Sequence, residues 1–480
     1  MTSLMKLRHL GAAVAVLLSA AACNSFLDVK PVAELPRQQA LTGPTSARAA
    51  VAGMYDALQD NTGAFYYSGD RVLFTDLSSD DVTWTGTFTT YADAEDNHLR
   101  SDNGDVRGMW NSMYAAVARA NLVLEQMPNI SGIDAEEKDQ FLGEAHFIRA
   151  LAYHDLVTIW GGLNTGDPGV PLVLTTVSDA ASSASLTRAT VGAVYTQIIA
   201  DLTQAEALMS ASIDDPSRAT VGAVVALRAR VELFRKNYAA AESLSTVVEG
   251  MGYDLAPDYA DLFTADGKST PEDIFKLTFS AVDADQEGYY YLGRTEVEPS
   301  DALGQAYQPS YVIGDPSSWN PTDLRAQVNI AADPDFEICG YDLCGTKYPT
   351  TIGAEDIHII RFAEVVLTKA EAMARQGGAK LVGAVAEVNK IRERAGLLPL
   401  TFGVGPLTTQ QQVIDEVMLQ RRLELAMEGH RWMDLVRTGL VLNFLSNRTD
   451  PAPSFQQLYP IPSRELSVSP NIVQNPGYSQ

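Results

Sequence analysis

Apolar residues along most of this chain recur every three or four positions, and that period leaves few folds open. Phe141, Ala145, Ile148, Ala152, Leu156 and Ile159 form one such series, and Ile359, Ala363, Val366, Ala370 and Met373 form another. A helical period of about 3.6 residues gathers each series into one stripe, which must be buried against a neighbour. Similar spacing covers about 45–58, 110–127, 191–209, 220–234, 238–249, 381–394 and 411–428. An internal echo suggests how these helices are arranged. Arg188-Ala189-Thr190-Val191-Gly192-Ala193-Val194 recurs identically from Arg218 to Val224. In each copy the threonine stands where a helix N-cap would accept a bond from a free backbone amide. Two equivalent helix starts about 30 residues apart predict stacked helical hairpins, close to the step of about 34 in tetratricopeptide repeats.

Two stretches, 61–105 and 264–358, break the period. They are rich in Gly, Asp, Ser, Thr, Pro and aromatic residues. Long irregular segments in a compact protein commonly carry function, and the aromatic content here argues against disorder. Phe275 to Phe279 alternates as a short strand would. The chain carries 60 acidic against 35 basic residues, a formal net charge of −25. Such a field repels nucleic acid and anionic membrane surfaces, so nucleic-acid binding is set aside.

The N-terminus reads as a processing segment. Lys6 and Arg8 precede an apolar or small run from Leu10 to Ala22 that is too short to anchor across a bilayer. This is the layout of a secretory signal peptide over residues 1–22. Cys23 follows in Ala20-Ala21-Ala22-Cys23, a lipobox-like end at which an acylated thiol would become a lipid anchor. Cys339 and Cys344 remain. Outside the cytoplasm they are available for a local disulfide, and no His or second Cys pair lies near enough in sequence to favour a metal site.

The ordered motifs along the chain resemble those of the SusD/RagB family of nutrient-binding outer-membrane lipoproteins. They begin with Phe26-Leu27-Asp28-Val29-Lys30-Pro31 and continue through Trp110, Tyr114, Ala120 and Asn121. Gly143-Glu144-Ala145, Arg149-Ala150, Tyr153, Asp155, Leu156 and Gly161 follow. The most specific part is C-terminal: Arg361, Ala363-Glu364, Ala370-Glu371-Ala372, Asn389, Arg392 and Arg394 to Leu397. Arg421 to Leu425, Glu428-Gly429, Arg431-Trp432, Asp434-Leu435, Pro460-Ile461-Pro462 and Gln474 to Tyr478 complete it. The resemblance implies a mainly α fold of four tetratricopeptide-like hairpins with an irregular ligand-binding part and little β. It implies a single domain over 23–480, with the irregular insertions at about 61–105 and 264–358. It further implies a surface lipoprotein of the outer membrane that lids a SusC-like TonB-dependent transporter and takes up glycans or, in some members, peptides. A helical-repeat scaffold working only through protein partners is the competing reading.

No catalytic residue and no cofactor are expected. The sequence has no G-x-S-x-G, H-E-x-x-H or phosphate-binding glycine loop. Glu424 and Glu428 stand one helical turn apart, as a glycosidase pair might. Arg421, Arg422, Arg431 and Arg437 crowd them and would lower their pKa values, so a structural ion-pair network is expected. His146, His154 and His430 lie on predicted helices without a carboxylate set and read as structural. Asp283, Asp285, Glu287 and Gly288 mimic the start of an EF-hand loop, but Arg294 stands where the bidentate Glu is required, so no metal is assigned.

Trp110, Trp160 and Trp432 sit on predicted helices and read as core. Trp84 and Trp319 sit in the irregular stretches with no stripe to join. An indole face stacks on the apolar face of a sugar ring, while polar side chains at its edge meet the hydroxyls. The first stretch offers Tyr66, Tyr67, Asp80, Asp81, Trp84, Tyr91 and Asn97. The second offers Tyr289, Tyr290, Tyr291, Arg294, Tyr307, Tyr311, Trp319 and Asn320. Trp84, Trp319, Tyr289, Tyr290, Tyr291, Tyr307, Tyr311, Arg294, Asn320, Asp81, Tyr66 and Tyr67 are therefore the expected ligand-binding residues. The tyrosine run 289–291 is also compatible with a strand that buries alternate rings.

Overall fold

The computed structural model describes residues 41–59, 65–177, 182, 184–210, 215–264 and 267–479. The signal peptide, Cys23 and the Phe26-to-Pro31 motif lie outside the described residues. The fold is mainly helical. The first helices are α1 (Pro44–Gln59), α2 (Asp70–Leu77), α3 (Thr89–Glu95), α4 (Gly104–Gln126), α5 (Ala135–Trp160), α6 (Val191–Leu208), α7 (Val221–Phe234) and α8 (Tyr238–Glu249). After a loop-rich part with two short helices, α9 (Asp301–Tyr307) and α10 (Leu324–Asn329), come α11 (Phe362–Gln376), α12 (Lys380–Arg394), α13 (Gln410–Glu424) and α14 (Arg431–Thr438). Neighbours in sequence are neighbours in space: α4 packs on α1 and α5, α5 on α6, α6 on α7, and α7 on α8. The row then continues from α8 to α11, and α11 carries α12 and α13. One apolar cluster runs through this stack from Leu41 to Ile472. Among the described residues no helix is long and apolar enough to cross a membrane.

The repeated heptapeptide marks two helix starts. Thr190 Oγ1 accepts from the Ala193 amide at 3.2 Å, opening α6, and Thr220 Oγ1 accepts from the Ala223 amide at 3.1 Å, opening α7. The copies differ in what their arginines hold. Arg188 donates to the Gly169 and Trp160 carbonyls, whereas Arg218 pairs with Glu144.

Among the described residues six short strands form antiparallel pairs: β1 (Val82–Trp84) with β3 (Val297–Pro299), β2 (Asp273–Leu277) with β6 (Ile357–Arg361), and β4 (Ile330–Ala332) with β5 (Leu343–Gly345). The first ladder fastens the two irregular stretches together, with Val82 opposite Pro299 and Trp84 opposite Val297. Local readings shift here. The strand expected at Phe275–Phe279 begins at Asp273, and all five of its residues are buried, so no alternation is selected. The stripe read from Ile359 begins as strand β6, and the helix starts only at Phe362. The eight residues of α2 are all buried, which erases the polar face a periodicity reading needs.

A buried ion network joins the loop-rich part to the helices. Arg361, at the end of β6, donates to Glu272 and Glu424 at 2.6 Å and to both oxygens of Glu428 at 2.8 and 2.9 Å. Arg394 reaches Glu272 and Glu424, Lys347 reaches Glu428, and Arg325 reaches Asp323 and Glu424. The network expected around Glu424 and Glu428 is present with different partners. Arg421 and Arg437 pair with Asp434, and Arg422 and Arg431 pair with Asp80 and Asp81. The reason is geometric: these arginines lie on other faces of α13 and α14, while the carboxylates point at β6.

Burial opposes ionisation of these acids, but their cations outweigh it. Arg361 and Lys347 hold Glu428 at about 2, and Arg421 and Arg437 hold Asp434 at about 2. Stability from such depressed groups is present above the ordinary carboxylate range and is lost as pH falls toward 2. Burial prevails on other acids. It raises Asp285, which also faces Glu355, to about 7, and Glu298 to about 8. Their contribution is present at low pH and is lost as pH rises through those values. Calorimetry across pH is therefore expected to give the highest Tm at about pH 4 to 5, where the depressed acids are ionised and the raised ones still protonated in both states. It should fall below about pH 4 toward 2, decline again between about pH 5 and 8, and level off above that. A Tm flat from pH 5 to 2 would contradict the role given to the network.

Candidate functional site

The β1–β3 ladder sets the candidate site. β1 delivers Trp84 to its end, and the chain turns through Gly86 into α3, which carries Tyr91 and begins just after Phe88. Across the ladder, just before β3, residues Tyr289–Gly293 form a π-helical turn. Consecutive residues of a helical turn fan outward instead of alternating, so the three tyrosines part. Tyr289 faces outward, Tyr290 meets Trp84 and Tyr91, and Tyr291 turns inward against Tyr348. Trp84 and Tyr91 stack with centroids 4.8 Å apart, and Phe88 lies over Trp84 at 6.3 Å.

The outer face of this pile is Phe88, 44% exposed, and Tyr289, 37% exposed. Arg294 lies across both, its guanidinium carbon 5.3 Å from the Phe88 ring centre and 5.9 Å from that of Tyr289. Its Nε and Nη2 donate to the two oxygens of Glu296, each at 2.6 Å. An apolar ring face with a paired guanidinium beside it offers CH contact and polar edges together.

At the other end of the ladder Ser300 caps α9, its hydroxyl donating to the Asp80 carbonyl at 2.6 Å. The chain beyond α9 carries Tyr311 and Trp319, whose rings meet edge to face at 5.6 Å. Tyr311 is buried and Trp319 half-buried, while Asn320, Val312 and Ile313 are exposed. Gln308 ties this loop, donating to the Ser318 carbonyl at 2.8 Å and accepting from the Asn320 amide at 2.7 Å.

Several expected ligand residues lie inside the protein. Tyr66 and Tyr67 stack on each other and both donate to Asp155, at 2.9 and 2.5 Å. Arg71 completes that buried set. Tyr307 donates to the Leu423 carbonyl and accepts from Asn329, so it bolts α9 to α13. Asp81 accepts from Arg422 at 2.6 Å, tying β1 to α13. With Tyr291, these residues are interior, because partners distant in sequence claim their polar atoms or rings, and Trp84, Tyr290 and Tyr311 are buried as well. Phe88 is a surface aromatic that the sequence reading passed over, since threonines surround it and no pattern marks it.

The remaining side chains singled out are structural. Trp110 and Trp160 meet at right angles, Trp160 Nε1 donates to the Pro460 carbonyl at 3.0 Å, and Trp432 is buried. His146 pairs with Asp201. Burial drives His154 down to about 3 and lowers His430. Asp285 Oδ1 accepts from the amides of Glu287 and Gly288, so it serves the local turn. Glu424 and Glu428 are locked in the ion network and held deprotonated, which is wrong for a general acid. Cys339 and Cys344 form a disulfide. A separate cleft of about 710 Å³ lies by α1 and α5, lined by Arg48, Tyr55, Gln59, Phe141 and Arg218 among others, and holds none of the nominated residues.

Comparison with known proteins bears on this arrangement. A family model described as SusD family matches residues 344–478, and one described as starch-binding associating with outer membrane matches 25–233. A SusD-like protein of Formosa agariphila is 26% identical over 95% of this chain and 96% of its own length. The starch-binding protein SusD of Bacteroides thetaiotaomicron is 34% identical over 29% of this chain and 24% of its own. Among solved structures, a laminarin-binding SusD-like protein superposes with a TM-score of 0.76 at 25% identity, covering 91% of this chain and all of that one.

Gly86 sets the position of the Trp84 indole. A Cβ on Gly86 would run into Trp84 Cζ2 and lie 2.8 Å from Glu296 Cδ. Gly86→Ala is expected to displace the indole and cost about 1–3 kcal/mol by overpacking. Urea unfolding and the near-ultraviolet aromatic signal would report it, and an unchanged midpoint and spectrum would contradict this packing.

Proposed function

The chain belongs to the SusD/RagB family, and from that premise we propose that it captures glycans at an outer membrane and passes them to a SusC-like TonB-dependent transporter. The observation that carries this reading is the exposed face of Phe88 and Tyr289, backed by Trp84 and flanked by Arg294. Trp319 and Asn320 extend the surface beyond α9. A sugar ring would rest its CH face on Phe88 and Tyr289, and its hydroxyls would meet Arg294 and Glu296. No covalent chemistry is required, and the protein is read as a binding protein. An open surface buries little area per hydroxyl desolvated, so dissociation constants on the order of micromolar to millimolar are expected. Acylated Cys23 would hold the protein on the membrane. A peptide ligand is the alternative within the same family.

Titration calorimetry against panels of oligosaccharides and peptides tests this reading. A saturable glycan signal is expected. Phe88→Ala and Trp319→Ala should each weaken it by about five- to thirtyfold, equivalent to about 1–2 kcal/mol. Tyr66→Phe, altering an interior ring, should leave it unchanged. Binding of peptides alone would move the substrate class. Silence in both panels would favour a scaffold acting through protein partners. Separately, Cys23→Ala should move the protein from the membrane to the soluble fraction, and retention there would count against the lipid anchor.

A further inference from the structure

We propose that Cys339, Cys344 and Glu298 form a site for a borderline-soft divalent cation such as Zn²⁺ once the disulfide is reduced. The three side chains already converge. Both sulfur atoms and a Glu298 carboxylate oxygen lie within 4.8 Å of one another. Glu298 is on β3, 3% exposed, and accepts from the Gly345 amide at 3.1 Å through Oε2. Its Oε1 has no hydrogen-bond partner. A buried carboxyl oxygen left unpaired is costly, and nothing in the glycan reading uses it.

The surrounding loop holds the cysteines in place without the disulfide. Asp333 accepts from the backbone amides of Glu337, Ile338, Cys339 and Gly340, at 2.8 to 3.1 Å. Cys344 is pinned on β5 opposite Ala331. Reduction thus releases two thiols whose backbones stay anchored. Four residues separate them, a spacing that zinc thiolate sites use. Cys344 is buried, while Cys339 is half-exposed and open to a reductant and to water as a fourth ligand.

The chemistry balances. A dithiol reductant gives two electrons and two protons to the disulfide, yields two thiols and is itself oxidised to a cyclic disulfide. The cation then displaces one proton from each thiol. The Glu298 carboxyl completes the protein's donor set through its unpaired Oε1. The oxidised form offers one carboxyl and a disulfide with no thiolate, and binds no such ion. The adjoining residue Leu343 packs where Gly304 and Tyr311 meet, so a cation there would brace the loop that carries Trp319.

The test uses the full chain with Cys23→Ser, leaving this pair as the sole thiols. The protein is reduced with dithiothreitol, freed of reductant under argon and titrated with Co²⁺. One equivalent is expected to raise a thiolate-to-cobalt charge-transfer band that Zn²⁺ displaces, and the oxidised protein should show none. In chelator competition Glu298→Gln should weaken Zn²⁺ by about tenfold or more. Absence of the band in the reduced protein would overturn the proposal. So would equal affinity in the oxidised protein, or a Glu298→Gln variant unchanged in affinity. The reduced and oxidised forms of the same polypeptide decide the matter even if a variant folds poorly.

Discussion

Arg361 is out of water, and each nitrogen of its guanidinium meets an acid or a carbonyl. The groups it gathers come from two different kinds of structure. Glu272, Asp323, Arg325 and Lys347 belong to the loop-rich stretch, while Arg394, Glu424 and Glu428 end or follow the C-terminal helices. Four cations balance four anions. Such a cluster adds little net stability over an apolar joint, because each charge forfeits its hydration. Its strength lies in specificity. Removing one member strands a buried charge at a cost of about 3–5 kcal/mol, so wrong dockings of the loop region are strongly disfavoured. An irregular segment has no ladder or stripe to fix its position, and this network supplies the missing constraint.

A second set of ties acts on the aromatic face itself. Asp80 and Asp81 precede β1 and are held by Arg422 and Arg431, from the end of α13 and the start of α14. The Ser300 hydroxyl and amide close on the carbonyls of Asp80 and Asp81 from the β3 side. Thus β1 and β3 are clamped to the helices at one end, and at the other they present Trp84 and the π-helical turn. The candidate face is cantilevered from the same helices that Arg361 organises.

This explains what the sequence disclosed. Period alone located α1, α5, α7, α8 and α12 to within a few residues, because each helix must bury a stripe. The repeated heptapeptide disclosed two N-caps, because a cap needs only its own next turn. Trp160 and Trp432 could be placed for the same local reason. Tyr66, Tyr67 and Tyr307 could not, since their fates depend on Asp155, Leu423 and Asn329, and no local pattern announces those partners. Asp81 was likewise claimed by an arginine 341 positions away. The split of Tyr289, Tyr290 and Tyr291 follows from a π-helical turn, which composition does not reveal.

The geometry of Arg294 bears on how such a face can recognise a ligand. A lone guanidinium on a surface is mobile, and fixing it on binding costs side-chain entropy. Here Glu296 grips two of its nitrogens, and the rings of Phe88 and Tyr289 lie beneath it. Much of that ordering is complete before a ligand arrives, which lowers the cost of association. The pairing also neutralises its charge, so an anionic ligand gains little from it while a neutral polyol can share its remaining donor directions. In a chain with formal net charge −25, anionic ligands are further disfavoured on approach. On the proposed reading, rigid rings, a pre-paired cation and a negative field together favour neutral, hydroxyl-rich ligands over acidic ones.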